Sequence, residues 1–292
     1  MNNLREVFQK YAAVVFFDTE TSGLDADTCQ IIELAAIRIE QTGRGTLRVV
    51  KTFDDFIRLP EGEKLPEKIT ELTGITDEML EKEGLDENDV VYDFEELLDD
   101  TAGPVLLAAH NAQFDLQFAG TMAERYAQPC AELLARADYL DTLTVYKDRR
   151  PYPHKLANAI AAYKLEDKVQ NSHRAIDDVA ALFEVCRAMD DERADLLEYV
   201  NIFGYNPKYG VAGRPSGVCE HFRLQPEVRR RRPPPRWRDL LAAALQQVYA
   251  VAGLYAPGTG KERSEGMSNA VIITLIICAT LIALSLINKK NK

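Results

Sequence analysis

Thiols are few in this chain of 292 residues. Its five cysteines, Cys29, Cys130, Cys186, Cys219 and Cys278, are scattered, and no two form a C-x-x-C pair. Such spacing suggests neither a structural zinc site nor a disulfide framework. It reads as reduced, mostly buried thiols in a cytosolic compartment. Histidine occurs only four times, so imidazole chemistry falls to His110, His154, His173 or His221. Positive charge is also short: 35 Lys and Arg stand against 46 Asp and Glu, a net of −11. A balance so acidic argues against gripping nucleic acid through a basic surface. The deficit is uneven. Residues 1–210 carry 22 basic and 41 acidic side chains, a net of −19, whereas 211–292 carry 13 and 5, a net of +8. An acidic domain still acts on nucleic acid where divalent cations sit between its carboxylates and the phosphates. There is no internal repeat. Met1 to Lys10 is polar, so no signal peptide is expected to open the chain.

What is present is a globular composition, 46% hydrophobic and 28% charged, within the normal range for folded domains. The informative stretch is Val14-Val15-Phe16-Phe17-Asp18-Thr19-Glu20-Thr21-Ser22-Gly23. The apolar run reads as a strand buried on both faces. A lone carboxylate buried at its end is costly unless paired or on a metal. Residues i and i+2 of a strand share a face, so Asp18 and Glu20 project together as half of a hard-cation site. Taken alone, a strand ending in D-x-E reads equally well as a solvated turn.

Further along, residues 4–11 read as a polar lead-in and 12–17 as the first strand. Ile31 to Ile39 and Leu47 to Ile57 give two more strands, and the short links predict an antiparallel meander. Pro66 to Leu72, Asp77 to Glu81 and Asp89 to Leu98 have helical spacing, with Thr76 and Asn88 as N-caps. Pro104 to Ala109 predicts a buried strand. Residues 112–126 predict a helix, with Phe114, Phe118, Met122 and Tyr126 spaced by four. Ala137 to Leu140 reads as a strand, Asp141-Thr142 as a helix start, and Lys155 to Tyr163 and Arg174 to Met189 as helices. Residues 193–203 also read as helical.

Three segments then stand together: Asp18 and Glu20; His110-Asn111-Ala112-Gln113-Phe114-Asp115, which puts Asp115 one turn into a helix; and Asn171-Ser172-His173-Arg174-Ala175-Ile176-Asp177-Asp178. Five residues of helix turn through about 500°, so His173 and Asp178 would diverge by about 140° if both were helical. They serve one centre only if His173 lies on a loop folded over the site.

This ordered set resembles the DEDDh (DnaQ-like) exonucleases, the group of the bacterial DNA polymerase III epsilon proofreading subunit. D-x-E, H-N-x-x-F-D and H-x-x-x-x-D occur in the order of that family. Ile31-Ile32-Glu33-Leu34-Ala35-Ala36, Thr73-Gly74-Ile75-Thr76, Asp141-Thr142-Leu143 and His154-Lys155-Leu156 are lesser likenesses. The resemblance covers roughly residues 11–190. It implies an α/β, ribonuclease H-like fold with a mixed five-stranded sheet flanked by helices, within an exonuclease domain spanning 1–210. It also implies a metal-dependent 3′–5′ exonuclease. Asp18, Glu20, Asp115 and Asp178 would hold two Mg²⁺ or Mn²⁺ ions, Asp18 bridging both, since two such ions about 4 Å apart meet the needs of phosphodiester hydrolysis. His173 would be the general base, since an imidazole suits taking a proton from metal-bound water. Thr19 and Thr21 would lie near the terminal 3′-OH, and Leu24 and Phe114 would line a pocket for the last base.

Plainer readings apply to the neighbours. Asn111 is read as fixing the strand-to-helix turn, with a substrate contact as the alternative. His110 is read as structural, Asp141 as a helix cap, Glu33 as paired internally and Asp177 as solvated. The expected partner is a DNA 3′ end, with RNA as the alternative and a DNA polymerase subunit as a protein partner. A non-catalytic binding module is the competing reading from another class.

After residue 210 the character changes. Residues 211–236 are rich in Arg and Pro and read as a linker that could bind nucleic acid or anionic lipid. Residues 237–256 read as an amphipathic helix and 257–269 as a flexible linker. Residues 270–287 carry no charge over 18 positions, the low end for a membrane-spanning helix, and a basic tail, 288–292, follows. At face value this is a C-terminal anchor with the catalytic domain on the cytosolic side. The competing readings are a soluble apolar helix and a stretch foreign to the domain, from a fusion or a frameshift.

Overall fold

The run Ala13-Val14-Val15-Phe16-Phe17 is buried throughout and forms the first half of strand β1 (Ala13–Thr21). In a computed structural model, residues 4–43, 45–169, 172–204 and 218–221 are described. β1 lies at the centre of a five-stranded sheet of order β3-β2-β1-β4-β5. β2 (Ile31–Gln41) runs antiparallel to β1 and β3 (Leu47–Phe56) antiparallel to β2, while β4 (Val105–Ala109) and β5 (Asp138–Asp141) run parallel. The sheet is therefore mixed, with the predicted meander on one side and crossover-linked strands on the other. β1 is longer than predicted. Its last four residues alternate buried and half-buried instead of leaving the sheet, because β2 continues to pair with them as far as Thr21.

Both faces are covered. On one, Val15 and Phe17 pack with α4 (Glu87–Leu97), α5 (Ala112–Tyr126) and α6 (Gln128–Arg136). On the other, Val14 and Phe16 pack with α1 (Arg5–Lys10), α7 (Thr142–Arg149), α8 (Leu156–Ala162) and α9 (Ala175–Glu192). Each fully buried Val or Phe contributes about 1.5–3 kcal/mol. That supports a strand whose end is crowded with acids. Helices α2 (Glu67–Thr73) and α3 (Asp77–Glu83) cover a small separate cluster around Ile32 and Ile75.

Several details differ from expectation. The lead-in contains α1, and α6 follows α5 after a single intervening residue. Thr76 caps α3 through its side chain, accepting from the Met79 N–H, but the N-cap position of α4 is Asp86 rather than Asn88. Residues 193–203 are not one helix. A short 3₁₀ turn (Leu196–Tyr199) gives way to β6 (Ile202–Gly204), because Asn201 takes a left-handed φ of 60°, a conformation that cannot propagate a right-handed helix. β6 pairs with β7 (Val218–His221), so part of the predicted 211–236 linker is strand. Among the described residues, Cys130 and Cys186 are buried thiols and Cys29 is partly exposed. No helix among them is long and apolar enough to cross a membrane. The segments read as amphipathic helix (237–256), linker (257–269), membrane helix (270–287) and tail (288–292) lie outside the described residues.

Candidate active site

Alternation along β1 sets the site. Asp18 and Glu20 continue the face of Val14 and Phe16, while Thr19 continues that of Val15 and Phe17. The two acids therefore emerge at the end of the central strand on the side packed by α9. Asp115 arrives from the opposite face, one turn into α5. It is buried and accepts from both the Thr19 N–H (3.1 Å) and the Thr19 hydroxyl (2.7 Å). Those bonds tie α5 to β1 between the two acids.

The turn that delivers Asp115 is held by a third acid. Asn111 takes a left-handed φ of 78° between β4 and α5, where Asn is better tolerated than most residues. Asp141 Oδ1 accepts from the Asn111, Ala112 and Leu143 N–H groups, and its Oδ2 accepts from the Thr144 hydroxyl. One carboxylate thus caps α5 and α7 together. Beside it, half-buried His110 meets the Thr142 hydroxyl through Nδ1 and the His154 carbonyl through Nε2, both at 3.0 Å. Burial pushes its pKa down, which favours a neutral, structural ring.

The last segment folds over the same strand end. His173 stands outside α9 with φ of 57°, so the divergence of a continuous helix does not arise. One ligand atom each from Glu20, His173 and Asp178 lie within 4.8 Å of one another. Glu33 organises this arrangement. It is fully buried in β2, directly opposite Glu20 in the ladder. It accepts from Arg174 Nε at 2.9 Å and Nη2 at 2.8 Å, and from the Ala175 N–H at 3.0 Å. Arg174 also lies over the Phe56 ring, 4.8 Å from its centroid. The residue after His173 and the first residue of the Asp178 helix are therefore clamped to β2.

The electrostatics are those of crowded carboxylates. Burial, then the nearby Asp115, Asp178, Glu20 and Glu33, push Asp18 well above the usual carboxylate range. Burial, with Asp178 next, raises Glu20 to about 8. Burial raises Asp115 to about 7 despite its bonds from Thr19. So many acids ionise together near neutrality only if cations compensate them. The donors are carboxylate oxygens with one imidazole and no thiolate, a set that fits hard divalent ions of the Mg²⁺ or Mn²⁺ type.

The family model for exonucleases (RNase_T) matches residues 15–186, which contain every residue of this cluster. The chain belongs to the exonuclease family. The chain is 33% identical over 211 residues to the PolC-type DNA polymerase III of Latilactobacillus sakei, covering 72% of this chain and 13% of that protein. It is 34% identical over 171 residues to the PolC-type enzyme of Bacillus subtilis, covering 57% and 11%. The chain thus spans only about an eighth of the length of such relatives. Its fold resembles E. coli exonuclease I solved with a dT13 oligonucleotide, with a TM-score of 0.55 at 17% identity, over 64% of this chain and 43% of that one.

The residues expected to meet substrate have mixed surroundings. The Thr19 hydroxyl is given to Asp115, and the Thr21 hydroxyl donates to the Gly23 carbonyl at 2.6 Å. Phe114 is half-buried against Phe118, with ring centroids 5.0 Å apart. Leu24 is 63% exposed on the loop after β1. That loop is closed by the Ser22 N–H donating to the Gln30 carbonyl, and a Cβ on Gly23 would overlap the Cys29 sulfur. Asp177 is exposed and accepts from the Ser172 hydroxyl; Asn171 lies outside the described residues. The sequence predicts an internal pairing for Glu33 and a helix cap for Asp141, but not Arg174 as the partner of the first nor α5 as a second helix capped by the other. A charged residue inside an apolar strand is the signal for the first, and Arg174, next to the key histidine, is the cation to look for.

Proposed function

We propose that the protein removes nucleotides from the 3′ end of DNA, in proofreading or repair, with two Mg²⁺ or Mn²⁺ ions and His173 as general base. The observation that carries this reading is the gathering of Asp18, Glu20, Asp115, His173 and Asp178 at the end of one strand. The four carboxylates would hold the ions. Once bound, the ions would neutralise the crowded anionic transition state and make water a better nucleophile. His173, on its turn outside α9, takes the proton from the attacking water. Thr19 fixes the Asp115 carboxylate, and the Glu33–Arg174 clamp holds His173 and Asp178 in reach of Glu20. DNA is favoured over RNA because the similar proteins are DNA polymerases and the structural neighbour was solved with a DNA oligonucleotide. The PolC likeness also supports a polymerase subunit as partner.

The test offers single-stranded DNA, duplex DNA with a mismatched 3′ end, and RNA, each 3′-labelled, with Mg²⁺ or Mn²⁺. DNA is expected to release labelled mononucleotide at once. Absence of release from every substrate would defeat the proposal, and release from RNA alone would replace it with an exoribonuclease.

A further inference from the structure

Tyr152 is the only aromatic residue among those described that is exposed; it is 86% accessible. Its place in the fold is specific. It lies between Pro151 and Pro153 in the connection from α7 to α8, and the fixed φ of proline restricts the backbone on both sides. The connection is tied down at His154. The His154 ring contacts Tyr152 edge-on at 5.8 Å and Tyr146 edge-on at 5.6 Å, and its Nε2 bonds the Arg150 carbonyl at 2.9 Å. The His154 carbonyl accepts from His110, the first residue after β4. β4 lies beside β1 and parallel to it, so the loop is anchored at the strand ends where Asp18, Glu20 and Asp115 gather.

The charge of this segment runs against that of the domain. Residues 147–155 hold Lys147, Arg149, Arg150 and Lys155 against one acid, Asp148, within a 1–210 region whose net charge is −19. Arg149 and Arg150 are engaged with Glu192, and Arg149 also with Asp195. Lys147 and Lys155, by contrast, are exposed, five positions before and three positions after Tyr152 in the chain. An exposed ring held between two prolines, in a segment that also carries exposed lysines, has the chemistry of a single-strand platform: bases stack on the ring and backbone phosphates meet the ammonium groups.

We propose that Tyr152 is a stacking station for a base of the single-stranded DNA whose 3′ end occupies the acid cluster, with Lys147 and Lys155 beside its backbone. This rests on the exonuclease reading above and adds a strand-binding element to it. The ring steadies the strand without taking part in hydrolysis.

The experiment compares the full chain with Tyr152→Ala, Tyr152→Phe and Tyr152→Trp. Binding to a 5′-fluorescent oligothymidylate of about twelve nucleotides is read by anisotropy in EDTA, and nucleotide release is followed in Mg²⁺. Tyr152→Ala should weaken binding about tenfold and raise KM by a similar factor, with kcat within about twofold; Tyr152→Phe and Tyr152→Trp should stay near wild type. If Tyr152→Ala binds and degrades the strand like wild type, the station is refuted while the exonuclease reading stands. If Tyr152→Phe loses as much as Tyr152→Ala, the hydroxyl and not the ring is responsible, and stacking is refuted. Wild type that neither binds nor degrades the strand would overturn both.

Discussion

Glu20→Gln should stabilise the metal-free protein while abolishing its activity. In the unfolded chain Glu20 ionises near its ordinary value of 4.5, whereas burial and the facing Asp178 raise it to about 8 in the fold. Between those values the folded protein keeps a proton that the unfolded chain has released. Stability is therefore greatest below the lower value and falls as pH rises toward the upper one. At about 1.4 kcal/mol per pH unit, the penalty on the ionised side is at most about 5 kcal/mol. Glu20 is half-buried at a rim open to water, and its neighbours share the proton, so about 2–3 kcal/mol is the working figure. Glutamine keeps the shape and removes the charge. In EDTA the variant should match wild type near about pH 5 and melt about 5–10 °C higher near about pH 8. Differential scanning fluorimetry across that range decides it. A wild type that gains stability with rising pH in EDTA, or a variant no more stable than wild type at the alkaline end, would refute the reasoning.

The other predictions follow from single contacts. His173→Ala should lower kcat by about 10²–10⁴-fold, with little change in melting temperature. Glu33→Gln should cost about tenfold or more in kcat, because the clamp on Arg174 and Ala175 loosens while the acids stay in place; crystallography of the variant should show His173 displaced. Asp141→Ala should destabilise the fold by about 2–4 kcal/mol, measured by urea denaturation, since two helix starts lose their cap at once. If the uncharged run 270–287 is an anchor, the full-length protein should need detergent for extraction; recovery in the soluble fraction without it would remove the anchor.

The candidate residues were easier to pick out of the sequence than the contacts that hold them together. Asp18 and Glu20 alone read equally well as a solvated turn, and they became legible as a site only beside Asp115, His173 and Asp178, whose order and spacing resemble a known set. Strand and helix spans with strong periodicity, such as β2, α5 and α9, emerged within a few residues. The end of β1 did not, since D-T-E-T reads as a turn until β2 is known to pair with it. Likewise Asn201 hid a strand inside an apparently helical run. The Glu33–Arg174 clamp spans 141 positions, and no local pattern reports a pairing so distant. Asp141 looked like the cap of one helix because its second client, α5, lies about thirty residues upstream.

The carboxylate cluster is proposed to bind divalent metal and to hydrolyse DNA from its 3′ end. Nucleotide release by wild type and Asp18→Ala, from strands labelled at either end, during Mg²⁺ titration from an EDTA-treated state, tests it most directly. Release should begin at the 3′ end, rise saturably with Mg²⁺, and vanish in Asp18→Ala. Release that persists in EDTA, or an Asp18→Ala variant that keeps wild-type activity, would contradict the account.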